Sequence, residues 1–181
     1  MKNIHIKLIA TILLVSVLLC GCGASANVKS IAGEWGYIHE PEKAALIIKD
    51  NGKTILDDVA YTADADDTYI TLKASDGTEE KLRYVLDKDG MLLYKNTVYQ
   101  FDGDNPSSLV GTWKHDKWSF EFTEDGTFYE DGYFPGYYVV DESNNTIKLV
   151  YNDHFEDAVI YYEIEGNELR LEYPWRMVKI K

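Results

Sequence analysis

The chain has 181 residues, 18 basic against 31 acidic side chains, and a formal net charge of −13. That balance excludes nucleic-acid binding, which requires a basic patch, and two cysteines exclude a disulfide scaffold. Fourteen Tyr, six Phe and four Trp among Val, Ile and Thr make a strand-forming composition.

Met1 to Lys7 form a short basic leader, followed by a twelve-residue apolar run from Leu8 to Leu19. About 20 residues are needed to cross a bilayer, so this run has instead the length of a signal-peptide core. Leu19-Cys20-Gly21-Cys22 comes directly after it. It resembles the lipobox of bacterial lipoproteins: an aliphatic residue at −3, a small one at −1, then the cysteine to be lipidated. Cys22 fits with Gly21 before it, whereas Cys20 would follow Leu19; Cys at −2 departs from the commoner small or β-branched residue. The resemblance implies a helical signal peptide over residues 1–21, lipidation of Cys22 with palmitate-type chains, and a lipidated tether over 22–30. Stable anchoring takes two such chains. The expected address is the cell membrane, lipid-anchored on its extracytoplasmic face, with the membrane itself as one partner. Both cysteines lie here, so the mature chain has no disulfide.

The remaining sequence is organised by two copies of one short motif, Gly33-Glu-Trp35 and Gly111-Thr-Trp113. The stretch after the first copy is echoed after the second. Asn51-Gly52 answers to Asp125-Gly126, Ile70-Thr-Leu72 to Ile147-Lys-Leu149, and Leu82 to Leu86 answers to Ile160 to Ile164. An internal repeat decides architecture before local propensity does. The units are residues 31–105 and 106–181, joined by the linker Asp102 to Ser108. Alternation is clear in Trp118-Ser-Phe120-Glu-Phe122 and in Leu169-Arg-Leu171-Glu-Tyr173, with Gly-containing turns at eight- to twelve-residue spacing. The fold class is therefore all-β: antiparallel meanders closing into small barrels, with a single composite barrel or sandwich as the alternative.

Gly111-Thr-Trp113, Phe120-Glu-Phe122, Asp125-Gly-Thr127 and a final strand containing Arg176 resemble the lipocalin-like (calycin-type) domains of bacterial lipoproteins. The resemblance implies that Trp35 and Trp113 plug barrel ends and that Arg176 lies across the Trp113 ring. In the first unit Val98 stands at the position of Arg176, so its clamp is missing or supplied by Lys95.

Charge divides evenly between the units, −8 in each (8 − 16 and 7 − 15), as expected of a solvated surface. The aromatics do not: residues 31–105 hold eight and residues 106–181 hold sixteen. Trp118, Phe120, Phe122 and Tyr162 fall on core parity. The stretch Tyr133, Phe134, Tyr137 and Tyr138 surrounds Pro135 and Gly136 and reads as a turn carrying large rings, either a structural lid or a recognition surface. Tyr161 and Trp175, on the opposite parity, could extend such a platform.

No histidine stands in metal-ligand spacing with another His or Cys, and no nucleophile elbow surrounds Ser119. Asp57-Asp58 and Asp64 to Asp67 lack the EF-hand pattern and read as solvated turn aspartates. The expectation is no enzyme, cofactor or metal site. Two functions remain: a non-catalytic binding module for a small apolar or glycan ligand, or a structural, protein-interacting envelope module with filled barrels.

Overall fold

A computed structural model describes residues 26–152 and 155–180. The expected signal peptide, Cys22 and the tether up to residue 25 lie outside the described residues. Helix α1 (Ala26–Ile31) comes first. Seven strands succeed it: β1 (Gly33–Tyr37), β2 (Leu46–Ile48), β3 (Lys53–Leu56), β4 (Val59–Ala65), β5 (Tyr69–Lys73), β6 (Glu79–Asp87) and β7 (Gly90–Phe101). A second seven run β8 (Gly111–His115), β9 (Trp118–Phe122), β10 (Thr127–Glu130), β11 (Phe134–Asp141), β12 (Thr146–Tyr151), β13 (Ala158–Glu165) and β14 (Glu168–Lys179). Every strand pairs antiparallel with its neighbours, and β14 returns to β1, so the sheet closes in a ring. The all-β antiparallel reading holds.

The folded body starts earlier than the tether boundary at residue 30 implied. Six residues cannot hold a helix by propensity alone. Packing holds α1 instead: Val28 and Ile31 are completely buried, and Asn27 donates to Asp67 at 3.0 Å.

One further pairing shapes the ring. β7 and β14, each twelve residues long, form a ladder from Met91↔Met177 to Gln100↔Glu168. At its middle Lys95 faces Tyr173, its own counterpart in the second repeat. The ladder is therefore its own image about a pseudo-two-fold axis through that pair. Each long strand also continues past the ladder into the opposite half. The end of β14 pairs with β1 (Trp35↔Lys179, Tyr37↔Met177), while the end of β7 pairs with β8 (Phe101↔Trp113). The closing hydrogen bonds match: Ile180 N–H donates to Glu34 O at 2.7 Å and Asp102 N–H to Thr112 O at 2.8 Å.

The ladder leaves one hydrophobic core on each side. The first comprises Val28 to Leu93 side chains plus Met177 from the last strand; the second runs from Tyr99 to Leu171. Each Trp of the repeated motif is buried and satisfies its indole in the same way. Trp35 Nε1 donates to Ile31 O at 3.0 Å, and Trp113 Nε1 to Leu109 O at 2.7 Å, as a buried indole N–H requires.

The exchange of strand ends corrects the role assigned to Arg176. It does not lie across Trp113 but pairs with both carboxylate oxygens of Asp87, at 2.8 and 2.7 Å. The ring against Trp113 is Phe101, edge-on at 4.9 Å between centroids. Gly111, at φ 132°, leaves room for it, because a Cβ there would run into the Phe101 ring. The cation from the final strand is Lys179, and it sits 5.3 Å from Trp35, in the other half.

Strand exchange makes a specific prediction. Met177→Ala removes a completely buried side chain at the far end of the chain and should destabilise by about 2–5 kcal/mol. Hydrogen exchange should show the protection loss concentrated in residues 33–87. Loss confined to residues 111–165 would refute the exchanged arrangement.

Candidate functional site

The middle of the β7–β14 ribbon is where the two cores part. Residues of odd number on both strands face inward: Met91, Leu93 and Met177 enter the first core, Tyr99, Leu169 and Leu171 the second. Between them Lys95, Thr97, Tyr173 and Trp175 share that parity and that face, yet lie between the cores. They floor a cleft of about 730 Å³. His39 walls it from the first half; Trp118, Glu130, Asp131, Phe134, Tyr151 and Phe155 wall it from the second. Four of the lining rings are substantially exposed: Trp118 at 50 %, Phe155 at 50 %, Trp175 at 40 % and Phe134 at 37 %. A concave site with apolar walls and few convergent polar groups is the usual form of a small-ligand site.

Its two sides differ in chemistry. On the first side Lys95 Nζ lies 2.5 Å from Asp57 Oδ2, 4.8 Å from the Tyr37 ring and 5.4 Å from the Trp175 ring. The Tyr37 hydroxyl donates to the same carboxylate at 3.0 Å, and its ring stacks on His39 at 5.6 Å. Burial pulls the Lys95 ammonium down, but the bonds and charges of Asp57 and Tyr37 outweigh it and hold the ammonium above its usual value. The lysine charge is thus already matched.

On the second side Glu130, last residue of β10, turns into the cleft and accepts a 2.5 Å hydrogen bond from the Tyr151 hydroxyl. Tyr151 lies 3.4 Å from the Tyr173 hydroxyl and packs against Phe128 and Phe155 at 5.1 and 5.3 Å. Burial raises the Glu130 carboxyl above its usual range, the bond from Tyr151 opposes, and the Asp131 charge adds to the rise. Burial also raises the phenols of Tyr151 and Tyr173, and that of Tyr99 to about 12. Asp131, at φ 54°, is held in its turn by Ser119 N–H, which donates to Oδ1 at 2.8 Å.

Of the residues expected on a binding surface, Phe134 and Trp175 line this cleft. The stretch expected as a turn is mostly strand. Phe134 to Tyr138 belong to β11 and pair with both β10 and β12, and only Tyr133 stays in the turn, 84 % exposed. The strand accepts Pro135 near its start, and Gly136 is needed for close packing, since a Cβ there would strike the Phe128 ring and Val150 O. Tyr137 points outward; Tyr138 packs edge-on against Phe122 at 5.0 Å and donates to Thr123 O. Tyr161 lies apart, under the Arg83 guanidinium at 3.8 Å and beside Tyr94 at 5.3 Å, with Arg83 paired to Glu172 at 2.9 Å.

Trp118, expected in the core, stands instead at the start of β9, past the packed interior, and joins the cleft. Glu130, Tyr151, Phe155 and Lys95 were not visible as a site in sequence. The one available signal was Glu130 at the end of Thr127-Phe-Tyr-Glu130, where strand parity turns a carboxylate toward the same face as Phe128 and Phe120.

A second depression of about 480 Å³ lies along β2–β4 and includes Lys49, Lys53 and Lys73; a third, of about 560 Å³, holds Tyr161, Arg83 and Glu172. Neither gathers exposed rings around a partly buried carboxyl. Among the described residues no group of three or more His, Cys, Asp or Glu is placed to hold a metal ion. No protein-family model, curated protein or solved structure matches the chain.

The raised carboxyl has a signed consequence. Between the ordinary carboxylate range and the raised Glu130 value the folded protein binds a proton that the unfolded chain has released, so stability falls as pH rises through that window. Glu130→Gln should remove this slope and raise the melting midpoint near neutral pH. Melts between about pH 4 and 8 test it; a variant with an unchanged slope would refute the assignment.

Proposed function

We propose that this chain is a membrane-anchored extracytoplasmic lipoprotein whose folded body is a non-catalytic binding module, with the cleft on the β7–β14 ribbon as its ligand site. The ligand is small and offers apolar or ring faces, as an apolar compound or a glycan does. The observation that carries this reading is the gathering of Trp118, Phe134, Phe155 and Trp175 around one concavity in an otherwise acidic surface. Soluble monomers bury such rings where they can, and a cluster left open marks a contact surface. In this reading each side of the ladder is a small lipocalin-like barrel, β1–β6 or β8–β13, completed by halves of β7 and β14. The site lies between the two, where small-ligand clefts commonly form.

The alternative, a structural or protein-interaction module of the envelope, draws support from a different feature. The first core is filled by aliphatic side chains, Trp35 and Tyr84, and Tyr133 and Tyr137 stand exposed outside the cleft, at 84 % and 57 %.

Two measurements test the proposal. In a bacterial host, radiolabelled palmitate should enter the wild-type chain and be lost from Cys22→Ser; equal labelling of both would remove the anchor. Against a panel of apolar compounds and oligosaccharides, a ligand of the cleft should raise the melting midpoint in a dose-dependent way. Trp118→Ala with Trp175→Ala should abolish that shift. A shift that survives the pair but disappears in Tyr137→Ala would move binding to the outer face of β11.

A further inference from the structure

The pseudo-two-fold axis allows the two sides of the cleft to be compared position by position. On the first side the chain seats an ammonium of its own: Lys95 lies against the Asp57 carboxylate with the Tyr37 and Trp175 rings within 5.4 Å. On the second side Asp131 occupies the position of Asp57, by the same shift that relates Asn51-Gly52 to Asp125-Gly126, and Glu130 replaces Leu56 beside it. The counterpart of Lys95, however, is Tyr173. The second side therefore keeps and doubles the carboxyls and lacks the cation.

We propose that the cleft takes a ligand bearing an ammonium group on an apolar or ring body, with Glu130 as its counter-ion. This rests on the reading of the cleft as a ligand site.

The groups that face Glu130 are consistent with that occupant. Tyr151 from β12 donates to one carboxylate oxygen. Tyr173 from β14 and Tyr99 from β7 are neutral phenols nearby, and Asp131 on its own hairpin is acidic. Among the described residues no Lys, Arg or His forms an ion pair with either carboxyl: Lys95 is engaged by Asp57, and His39 stacks on Tyr37. An anionic ligand would meet two like charges. A neutral one would leave a desolvated carboxylate uncompensated, whereas an ammonium both donates and carries the opposite charge. The rings add to this, because the faces of Trp rings attract cations. Trp118 and Trp175 already do so with Lys117 at 4.8 Å and Lys95 at 5.4 Å. Binding an ammonium at Glu130 favours the ionised carboxyl, so association releases a proton wherever the empty site holds one, and affinity falls as the solution is acidified.

A matched pair of probes separates charge from shape: 2-phenylethylammonium and 2-phenylethanol, titrated calorimetrically into the full chain in nanodiscs, with empty nanodiscs as reference. At about pH 7.5 the ammonium should bind at least about tenfold more tightly. That preference should vanish in Glu130→Gln and shrink on acidification to about pH 5, while the alcohol is unaffected. Equal binding of the two, both weakened by Trp118→Ala, would overturn the cation proposal and leave the cleft reading standing. Binding of neither would overturn both. Glu130→Gln serves as the folded control by its melt, and the pH dependence of the wild-type chain gives the same answer without any variant.

Discussion

The antiparallel ladder between β7 and β14 is the constraint on which everything else depends. An antiparallel pair of identical strands has a two-fold axis perpendicular to it, and here the last strands of two similar repeats use that symmetry within one chain. Each strand is too long for its own half. Its surplus crosses the axis and supplies the last strand of the other half, so β1 and β8 are paired instead of being left as open edges. Unpaired edges invite association with other chains, and here β14 and β7 hydrogen-bond to them within the same chain. It also ties the two cores together. Met177 completes a core built from residues 28–93, and Tyr99 completes one built from residues 101–171. Neither half is a closed unit without the other, which relieves the marginal stability of a core of about 70 residues.

Upon one scaffold the two halves are filled differently. Leu46 and Ile48 in the first correspond to Phe120 and Phe122 in the second, and Leu56 corresponds to Glu130. Helix α1 packs into the aliphatic half, with Val28 and Ile31 fully buried in its core. The aromatic half extends past its packed interior, where Trp118, Phe134 and Phe155 find no second layer to cover them. The doubled aromatic count of the second half is thus partly core and partly cleft.

Much of the architecture could be read from the sequence because strand alternation and Gly-containing turns are local signals. The burial of Phe120, Phe122, Leu169 and Leu171 follows directly from period-two parity. The exchange could not be read, because nothing local distinguishes a strand that closes its own half from one that crosses. Both have the same alternation. That is why Arg176, placed across Trp113 by the family resemblance, meets Asp87 instead. Trp118 misled for a related reason: parity gives the face of a strand but not how far the core extends along it. The stretch from Tyr133 to Tyr138 misled because Pro135 and Gly136 are turn residues by composition, while here each has a reason to lie in a strand. Pro135 lies near the start of β11, and Gly136 gives way to the Phe128 ring. The site was least legible of all. Its members come from both halves and meet only because the ribbon brings residues 39, 95, 130 and 175 together.

An axis through a site ordinarily makes the two sides alike, and a symmetric cleft suits a symmetric ligand. Here the residues flanking the axis have diverged: Lys95 faces Tyr173, and Thr97 corresponds to Trp175. One side became a closed arrangement in which Lys95, Asp57 and Tyr37 satisfy one another; the other became an open one, with carboxyls and exposed rings. The satisfied side has little left to offer a ligand, since its carboxylate already holds an ammonium and a hydroxyl. The open side is held in shape by the satisfied one, because Lys95 also packs over Trp175, whose ring forms part of the shared wall. In the proposed reading, divergence about the axis therefore turns a structural seam into a preorganised half and a receptive half, and a ligand entering the cleft would meet a polarity that the symmetry of the ribbon alone would not provide.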